Sequence, residues 1–514
     1  MIKLKSHSLK VGAFVLLSRI LGLIRDSLIA FFIGAGNVSD AFYTAFRIPN
    51  MLRDLLGEGA LSSVVVSRLG QLKEKKGEEE VNILIRKLFG FWAIVLLFIS
   101  IIGIIMAPIL VKIIATGFGD KVELFDLTVR LTRRMFPFIG MIGISALTMG
   151  VLHHKKIFGW SSAASSFLNL SIITLASICF YNFNPDATEM VFFLVYAFLI
   201  GSVFQWMSMW PGLYKTKTSI VPINPLTFLW KDPEVNKIFL MLGPSILGVA
   251  AVQINVLVNH NYASNLISGT ITHHYYSFRL MQLPVGIVGV AVSTVLLPKL
   301  SEYFANQKHQ QFEGEVSTAL SKVAFLCIPA VAGLSMIGPE LIAVLYERGE
   351  FTATATAGVW LALQGALLGI LPYAWNKNLI QAFYARNDIR YPMFVSLSSI
   401  LLNAGLNAYL AFKLDWGVFG LTLGTSIVLT TNTLALICGL SFRHKINLKF
   451  KPMIIQIATI IVATSFMILM ILWIRNILPQ DNKIVRLIID TCVGLGSYFL
   501  IQFIFKKTKN RLSI

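Results

Sequence analysis

Long apolar runs recur from one end of this chain to the other, separated by short polar loops. Most of them exceed the roughly 20 residues that a helix needs to cross a bilayer. Only 13% of the residues are charged, whereas soluble domains have roughly 25%. Because backbone groups inside a bilayer must be hydrogen-bonded internally, the pattern predicts an all-α polytopic membrane protein.

The apolar runs predict fourteen crossings, an even number that would leave both termini on the same side of the membrane. The predicted spans are residues 8–33, 38–72, 84–112, 126–152, 159–182, 188–213, 236–260, 270–304, 315–345, 354–385, 391–413, 416–442, 452–475 and 484–505.

The distribution of basic residues predicts the orientation. The formal net charge is +19, but the lysines and arginines gather in alternate loops and at both ends of the chain. The intervening loops, around residues 34–36, 182–188 and 261–270, have almost none. This positive-inside pattern places both termini in the cytoplasm and explains the excess charge without a nucleic-acid partner.

An internal repeat divides the chain. Leu61–Leu69 aligns with Val292–Leu300, and Phe46-Arg47 aligns with Phe278-Arg279 after a shift of one residue. Two six-helix lobes of the same orientation, in parallel repeat around a central cavity, would explain the match; chance similarity between apolar sequences is the alternative. The predicted domains are an N-lobe (1–215), a cytoplasmic linker (216–235), a C-lobe (236–445) and a C-terminal helix pair (446–514).

Paired proline and glycine residues mark the second and eighth crossings. In each, an arginine is followed by a proline, Pro49 or Pro284, and then by a glycine-bearing stretch. Proline removes a backbone donor and bends a helix. Discontinuous helices at corresponding positions are typical of transporter binding sites, although ordinary kinking explains many membrane prolines.

Arginines within these apolar segments are the strongest functional signal. Arg19 and Arg25 lie in the first crossing, Arg47 and Arg53 in the second, and Arg279 in the eighth. Each would cost roughly 2.5–3.5 kcal/mol at the centre of a lipid-facing helix, so we expect them to face an aqueous or protein-lined interior. Arginine engages phosphate bidentately, which predicts an anion site. Inter-helix ion pairs or snorkelling to the headgroups are the alternative.

Nearby carboxylates are too few to neutralise this cluster, which predicts a net positive interior; they are Asp26, Asp40, Asp54 and Glu58. The four cysteines are scattered singly and indicate neither disulfides nor a zinc site. No P-loop, activated nucleophile or metal-ligand spacing is present. The protein is therefore not expected to be an enzyme.

Several blocks of sequence, taken together, resemble the MurJ-type lipid II flippases of the multidrug/oligosaccharidyl-lipid/polysaccharide exporter superfamily. They occur in the same order as in that family and are Ser18–Asp26, Gly34–Phe42, Phe46–Arg53, Gly57–Ala60 and Tyr276–Met281. The resemblance runs from about residue 8 to the end of the chain.

The resemblance implies two six-helix lobes and a last helix pair that forms a groove for a lipid tail. The implied cargo is lipid II, the undecaprenyl-diphosphate-linked disaccharide pentapeptide, moved from the inner to the outer leaflet of the bacterial cytoplasmic membrane for peptidoglycan synthesis. The implied substrate-binding or functional residues are Arg19, Arg25, Asp40, Arg53 and Arg279, with Asn50 and Glu58 as less certain members.

The chain departs from some relatives at two places. Gln282 stands where some carry a glutamate, which leaves the interior more positive. Some relatives bind sodium through carboxylates in the second lobe, but the corresponding residues here are the neutral Asn259, Asn403 and Asn407. These amides argue against a sodium site, and no cofactor is expected. An inside-negative membrane potential, worth about 2.3 kcal/mol per charge per 100 mV, would favour outward movement of an anion.

Three alternatives stay open at this point. A flippase for another lipid-linked oligosaccharide, of the O-antigen or capsule type, would handle the same diphosphate, and the arginines alone do not separate it from a lipid II flippase. A multidrug exporter for organic cations would need unpaired carboxylates instead. A membrane scaffold without transport would have no use for charges inside the membrane.

Overall fold

The computed structural model describes residues 2–56, 61–224, 232–286, 290–446, 448, 450–478 and 481–512. Within these ranges all regular secondary structure is helical, as predicted. The α-helices are α1 (Ile2–Ile33), α2 (Asn37–Leu56), α3 (Ser62–Lys76), α4 (Glu78–Ile114), α5 (Val122–Met135), α6 (Pro137–His154), α7 (Gly159–Phe183), α8 (Ala187–Met207), α9 (Trp210–Lys215), α10 (Pro233–Ser264), α11 (Thr270–Pro284), α12 (Val290–Ala305), α13 (His309–Tyr346), α14 (Ala353–Leu367), α15 (Ile370–Ala385), α16 (Arg390–Asn407), α17 (Gly417–Cys438), α18 (Phe450–Ile477) and α19 (Lys483–Leu512).

Each predicted crossing coincides with one of these helices or with two consecutive ones. In the described part of the chain, nine helical stretches are long and apolar enough to span a membrane, or ten if α14 and α15, which meet at 48°, form one bent span. The protein is therefore a multi-pass membrane protein. The count of fourteen crossings agrees with the helix order and stays a prediction.

Helices α1 and α2 are not among the nine, and their charges explain why. From Gly12 onward α1 contains Arg19, Arg25 and Asp26, and α2 contains two aspartates and two arginines. Charged side chains at membrane depth face protein or water rather than lipid. Helices α1 and α2 are thus too polar to face lipid all round, and they carry most of the candidate site residues.

The chain forms two compact units. Unit 1 comprises residues 1–268 and 349–351, and unit 2 comprises residues 269–348 and 352–514. A core cluster of unit 1 joins α3, α4 and α6 and includes Leu69, Leu88 and Leu147. A cluster in unit 2 joins α12, α13 and α15 through residues such as Leu300 and Phe383. Helix α10 packs within unit 1, on α4 and α2, although the sequence repeat assigns it to the second half. The lobe boundaries at 215 and 236 stay a prediction.

Left-handed residues recur at equivalent helix ends in the two halves. A non-glycine residue with positive φ follows the fourth, fifth and sixth predicted crossings and again the tenth, eleventh and twelfth. The pairs are Lys156 and Asn387, Asn184 and Asp415, and Lys217 and Lys445, with φ between 44° and 60°. Side chains other than glycine adopt this conformation uncommonly, so its repetition agrees with the internal repeat.

Of the residues that predicted discontinuities in the second and eighth crossings, Pro49 and Pro284 lie within α2 and α11. The glycine-bearing stretches that follow fall largely on residues 57–60 and 287–289, outside the described residues. Adjacent to them, Leu61 and residues 285–286 adopt π-helical turns. Such turns often occur at functional sites within helices. The aligned arginines Arg47 and Arg279 lie on the helix that precedes each of these positions, α2 and α11.

Candidate functional site

Arg25 is held inside unit 1 by a dense set of contacts. Its Nε and Nη2 atoms donate to Oδ1 of Asp26 at 3.0 and 2.6 Å, and its Nη1 atom donates to Oδ1 of Asn169 on α7 at 2.9 Å. The guanidinium also lies 5.7 Å from the centre of the Phe198 ring on α8. Because the side chain is only 9% exposed, Arg25 contributes to the packing of α1 on α7 and α8. Its part in substrate binding stays a prediction.

Arg19 has a very different environment on the same helix. Its side chain is exposed and makes no hydrogen bond or ion pair with any residue that the structure describes. Arg19 lies about 9 Å from Arg25 along the helix axis, given 1.5 Å per residue. A fully charged guanidinium with its donors available is suited to an anionic ligand.

Asp40 lies in the first turn of α2 and is 4% exposed. The helix begins after a turn in which the Gly36 amide donates to Oγ of Ser39 at 2.8 Å and the Ser39 hydroxyl donates back to the Gly36 carbonyl at 3.0 Å. A carboxylate in the first turn interacts favourably with the positive end of the helix dipole. Farther along α2, the Thr44 hydroxyl lies 2.9 Å from Nε2 of His260 on α10.

Arg53 lies in the last turn of α2 beside its neighbour Asp54. Its Nε and Nη2 atoms donate to Oδ1 of Asp54 at 3.2 and 2.9 Å, and the other carboxylate oxygen accepts from Nε2 of Gln253 on α10 at 3.2 Å. Both charged side chains are about one quarter exposed. Asp54 therefore orients Arg53 and fixes the end of α2 to α10. Asn50, one turn earlier, is half-buried, and the predicted site residue Glu58 lies outside the described residues.

Arg279 belongs to unit 2 and is oriented by its own helix. Its Nε and Nη2 atoms donate to the Tyr275 hydroxyl at 3.2 and 3.0 Å, and its guanidinium carbon lies 5.2 Å from the centre of the same ring. The side chain is half-buried. Stacking on tyrosine restricts the guanidinium while leaving it charged.

The asparagines considered for sodium are buried amides. Nδ2 of Asn407 donates to Oδ1 of Asn403 at 3.1 Å, and both residues are buried in unit 2. A Cβ added at Gly424 of α17 would lie 2.1 Å from Oδ1 of Asn407, so the missing side chain allows the amide to pack against that helix. Asn259 is buried in unit 1. Neutral amides provide no charge to balance a cation, and the expectation that this chain binds no sodium stays a prediction.

Sequence reasoning missed three of the polar pairings that the structure shows. His260 with Thr44 and Gln253 with Asp54 connect α10 to α2. The third is an ion-pair network in unit 2 around Asp490. His260, Gln253 and Asp490 are each a polar side chain within an apolar helix, and such a residue is itself a signal of a specific partner.

Comparison with solved structures identifies the fold. The fold matches that of a multidrug resistance MATE family transporter of the MOP superfamily, with a TM-score of 0.65 at 15% identity over 87% of this chain and 94% of that one. It matches a structure of "Lipid II flippase MurJ, inward closed conformation" more fully, with a TM-score of 0.80 at 24% identity over 97% and 99% of the two chains. The chain therefore has the fold that these two solved proteins share.

The family follows from sequence comparison. Residues 29–489 match the family model "Lipid II flippase MurJ". The chain is 31% identical to the "Probable lipid II flippase MurJ" of Buchnera aphidicola subsp. Acyrthosiphon pisum over 96% of both chains. It is 33% identical to the "Lipid II flippase MurJ" of Burkholderia cenocepacia over 85% of this chain and 83% of that one. The chain therefore belongs to the MurJ family of lipid II flippases.

Proposed function

We propose that this protein moves lipid II from the inner to the outer leaflet of a bacterial cytoplasmic membrane by alternating access. The main support for the proposal is that the chain belongs to the lipid II flippase family. The helices too polar to face lipid are consistent with it, because a diphosphate needs a polar route. In this proposal both chain termini are cytoplasmic and the protein is a transporter, not an enzyme.

The arginines would bind the diphosphate. Arg19 is exposed, and Arg53 and Arg279 are partly exposed, so each could offer donors to a phosphate oxygen. Asp54 and Tyr275 hold the last two guanidinium groups in defined orientations, which reduces the entropy lost on binding. Asp40, Asn50 and Glu58 complete the proposed set of functional residues, and Arg25 supports it through packing.

The membrane potential is the energy source that the charges favour. A diphosphate carries negative charge outward, and an inside-negative potential contributes about 2.3 kcal/mol per charge per 100 mV. We propose no bound cofactor. The C-terminal helix pair, α18 and α19, would accommodate the polyprenyl tail.

A flippase for another lipid-linked oligosaccharide is the second candidate, because the same arginines would hold its diphosphate. A multidrug exporter is less consistent with the site, since organic cations need carboxylates that are not already paired with arginine. In unit 1, Asp26 and Asp54 are each paired with the arginine that precedes them.

The decisive experiment is depletion of this protein followed by measurement of the lipid-linked precursors in each leaflet. Lipid II should accumulate on the cytoplasmic side. Accumulation of a different lipid-linked glycan with unchanged lipid II would support the second candidate and refute the first.

Variants of the arginines test the binding site. Arg19→Ala and Arg279→Ala should each abolish rescue of depleted cells at normal protein levels. Arg348→Ala is the matched control, because Arg348 is an exposed arginine just after α13 that donates to the Val344 carbonyl of that helix at 2.8 Å. Rescue by both site variants would exclude the proposed role of the arginines.

A further inference from the structure

Three arginines of unit 1 share one exposed face of the amphipathic helix α5. Arg130, Arg133 and Arg134, which we call the arginine face, are all exposed. The opposite side of the helix is buried through residues such as Leu124, Thr128 and Thr132. Because the buried side fixes the rotation of α5, the arginine face has a defined direction. These residues also run against the positive-inside pattern, since α5 begins at the end of the fourth crossing opposite the basic loop at Lys155.

The arginine face has aromatic contacts but no acidic partner. The guanidinium carbons of Arg130 and Arg134 lie 5.9 and 4.9 Å from the centre of the Phe192 ring on α8. Nη1 of Arg134 also donates to the Arg130 carbonyl at 3.3 Å. Among the residues that the structure describes, no carboxylate lies within ion-pair distance of any of the three.

Phe192 begins an exposed apolar stripe on α8. Tyr196, Ile200, Phe204 and Met207 follow at helical spacing and are 48%, 44%, 47% and 42% exposed. Such a stripe on a membrane helix faces acyl chains. Two of the three arginines therefore cover the end of a lipid-facing surface, a position at which long basic side chains extend to the membrane interface.

The depth of the arginine face agrees with the position of lipid phosphates. From Phe192 to Lys215 the chain spans about 34 Å at 1.5 Å per residue, close to the roughly 30 Å thickness of the hydrocarbon core. Lys215 would then mark the inner boundary and the arginine face the outer one. The nearby acidic residues are exposed and lie closer to the N-terminal ends of α5 and α8 than the arginines and Phe192 do; they are Glu123, Asp126, Asp186 and Glu189.

We propose that the arginine face binds the phosphate of an anionic phospholipid in the outer leaflet. Three guanidinium groups with no carboxylate at ion-pair distance in the described part of the chain, placed where a lipid-facing stripe ends, match the charge and depth of that headgroup. The site is distinct from the arginines proposed to hold the transported diphosphate, and only its assignment to the outer leaflet rests on the proposed function, through the orientation with both termini cytoplasmic.

The test compares lipid binding by the purified full-length protein. Mixed micelles containing phosphatidylglycerol or phosphatidylcholine are titrated onto the protein, with bound lipid counted by native mass spectrometry. The wild type should prefer phosphatidylglycerol. The triple change of Arg130, Arg133 and Arg134 to Gln should weaken this binding about tenfold or more, whereas the triple change to Lys should retain most of it. Arg348→Gln, at an exposed arginine of unit 2, should change nothing.

An unchanged preference for phosphatidylglycerol in the triple Gln variant would overturn the proposal. If that variant had also lost binding of undecaprenyl diphosphate, the result would assign the face to the transported lipid. If the triple variant does not fold, Arg133→Glu provides the same comparison, because Arg133 has no aromatic contact to lose and the reversed charge should repel the headgroup.

Discussion

Arg475 of α18 donates from Nε to Oδ2 of Asp490 on α19 at 2.8 Å, and its Nη2 atom lies 2.6 Å from the same carboxylate oxygen. The same guanidinium donates to the Met336 carbonyl of α13 at 3.0 Å and to Oε1 of Glu340 at 3.4 Å. About two turns farther along α19, the Tyr498 hydroxyl donates to the Phe325 carbonyl of α13 at 2.6 Å. The C-terminal helix pair is thus attached to α13 through specific polar contacts as well as through apolar packing.

Asp490→Asn should destabilise the protein by about 2–3 kcal/mol. Removing one partner from a buried ion pair costs about 3–5 kcal/mol, and we expect less here because the Arg475 side chain is 19% exposed. Unfolding in detergent micelles would measure the loss. Arg486→Gln is the control, since that side chain is 38% exposed and its Nε lies 3.4 Å from Glu340; it should cost less than about 1 kcal/mol. Equal effects of the two changes would contradict the prediction.

Asp232 should stabilise the fold in two separable ways at the start of α10, as a helix cap and as the partner of an ion pair. Its Oδ1 atom accepts from the amides of Glu234 and Val235 at 2.8 and 3.2 Å, and its Oδ2 atom accepts from Nζ of Lys87 at 2.5 Å. Asp232→Ala should cost about 1 kcal/mol or more through loss of the cap. Asp232→Asn should cost less, because asparagine caps equally well and only the ion pair is lost.

Acid titration provides a second test of Asp232. Burial raises the pKa of this carboxyl, but the hydrogen bonds from Lys87 and from the two amides outweigh it and lower the pKa overall. The lowered pKa stabilises the fold above the ordinary value of 3.8, and this stabilisation is lost as the pH falls through the lowered pKa. Stability of Asp232→Asn should therefore decline less steeply below pH 4 than that of the wild type.

His444 should make the protein less stable as the pH falls from 7 to 5. Burial lowers its pKa below the ordinary 6.5, and the hydrogen bond to Asp388 at 2.9 Å partly opposes this shift. Because the unfolded chain binds the proton more readily, acidification favours unfolding. Asp388→Asn removes the opposing carboxylate, so the loss of thermal stability between pH 7 and 5 should increase. In a His444→Gln background, the same change should leave that slope unaltered.

Arginine-to-lysine changes should separate packing from ligand binding. Arg25→Lys should lower stability by about 1–2 kcal/mol, because lysine cannot reproduce the hydrogen bonds to both Asp26 and Asn169. Arg19→Lys should leave stability unchanged and reduce rescue of depleted cells, since a lysine engages phosphate only as a point charge. Stability of the purified variants and rescue in cells are measured together. Loss of stability in Arg19→Lys would show that Arg19 is also structural.

Sequence predicted the helices well because the physics of a bilayer leaves few options. An apolar run such as residues 84–112 must be helical in lipid, and it lies within α4. The breaks inside crossings were harder to predict. Between α14 and α15 the helix bends by 48° at residues 368–369, where sequence indicated one crossing over residues 354–385.

The environments of the arginines could not be predicted from sequence. Arg19 and Arg25 lie one and a half helical turns apart in the same apolar run, yet one is exposed and the other is buried against Asn169. The difference arises from the position of α7, which packs on α1. A contact between residues that are distant in sequence leaves no trace in the local pattern.

The placement of α10 determines where this polypeptide could be divided into two co-expressed fragments. A cut in the linker before Asp232 would separate α10 from the helices that hold Gln253 and His260 through Asp54 and Thr44. A cut between Ser264 and Thr270 would leave every one of those hydrogen bonds within a single fragment. The break that preserves more of the packing therefore falls one helix later than the break that the predicted internal repeat would suggest.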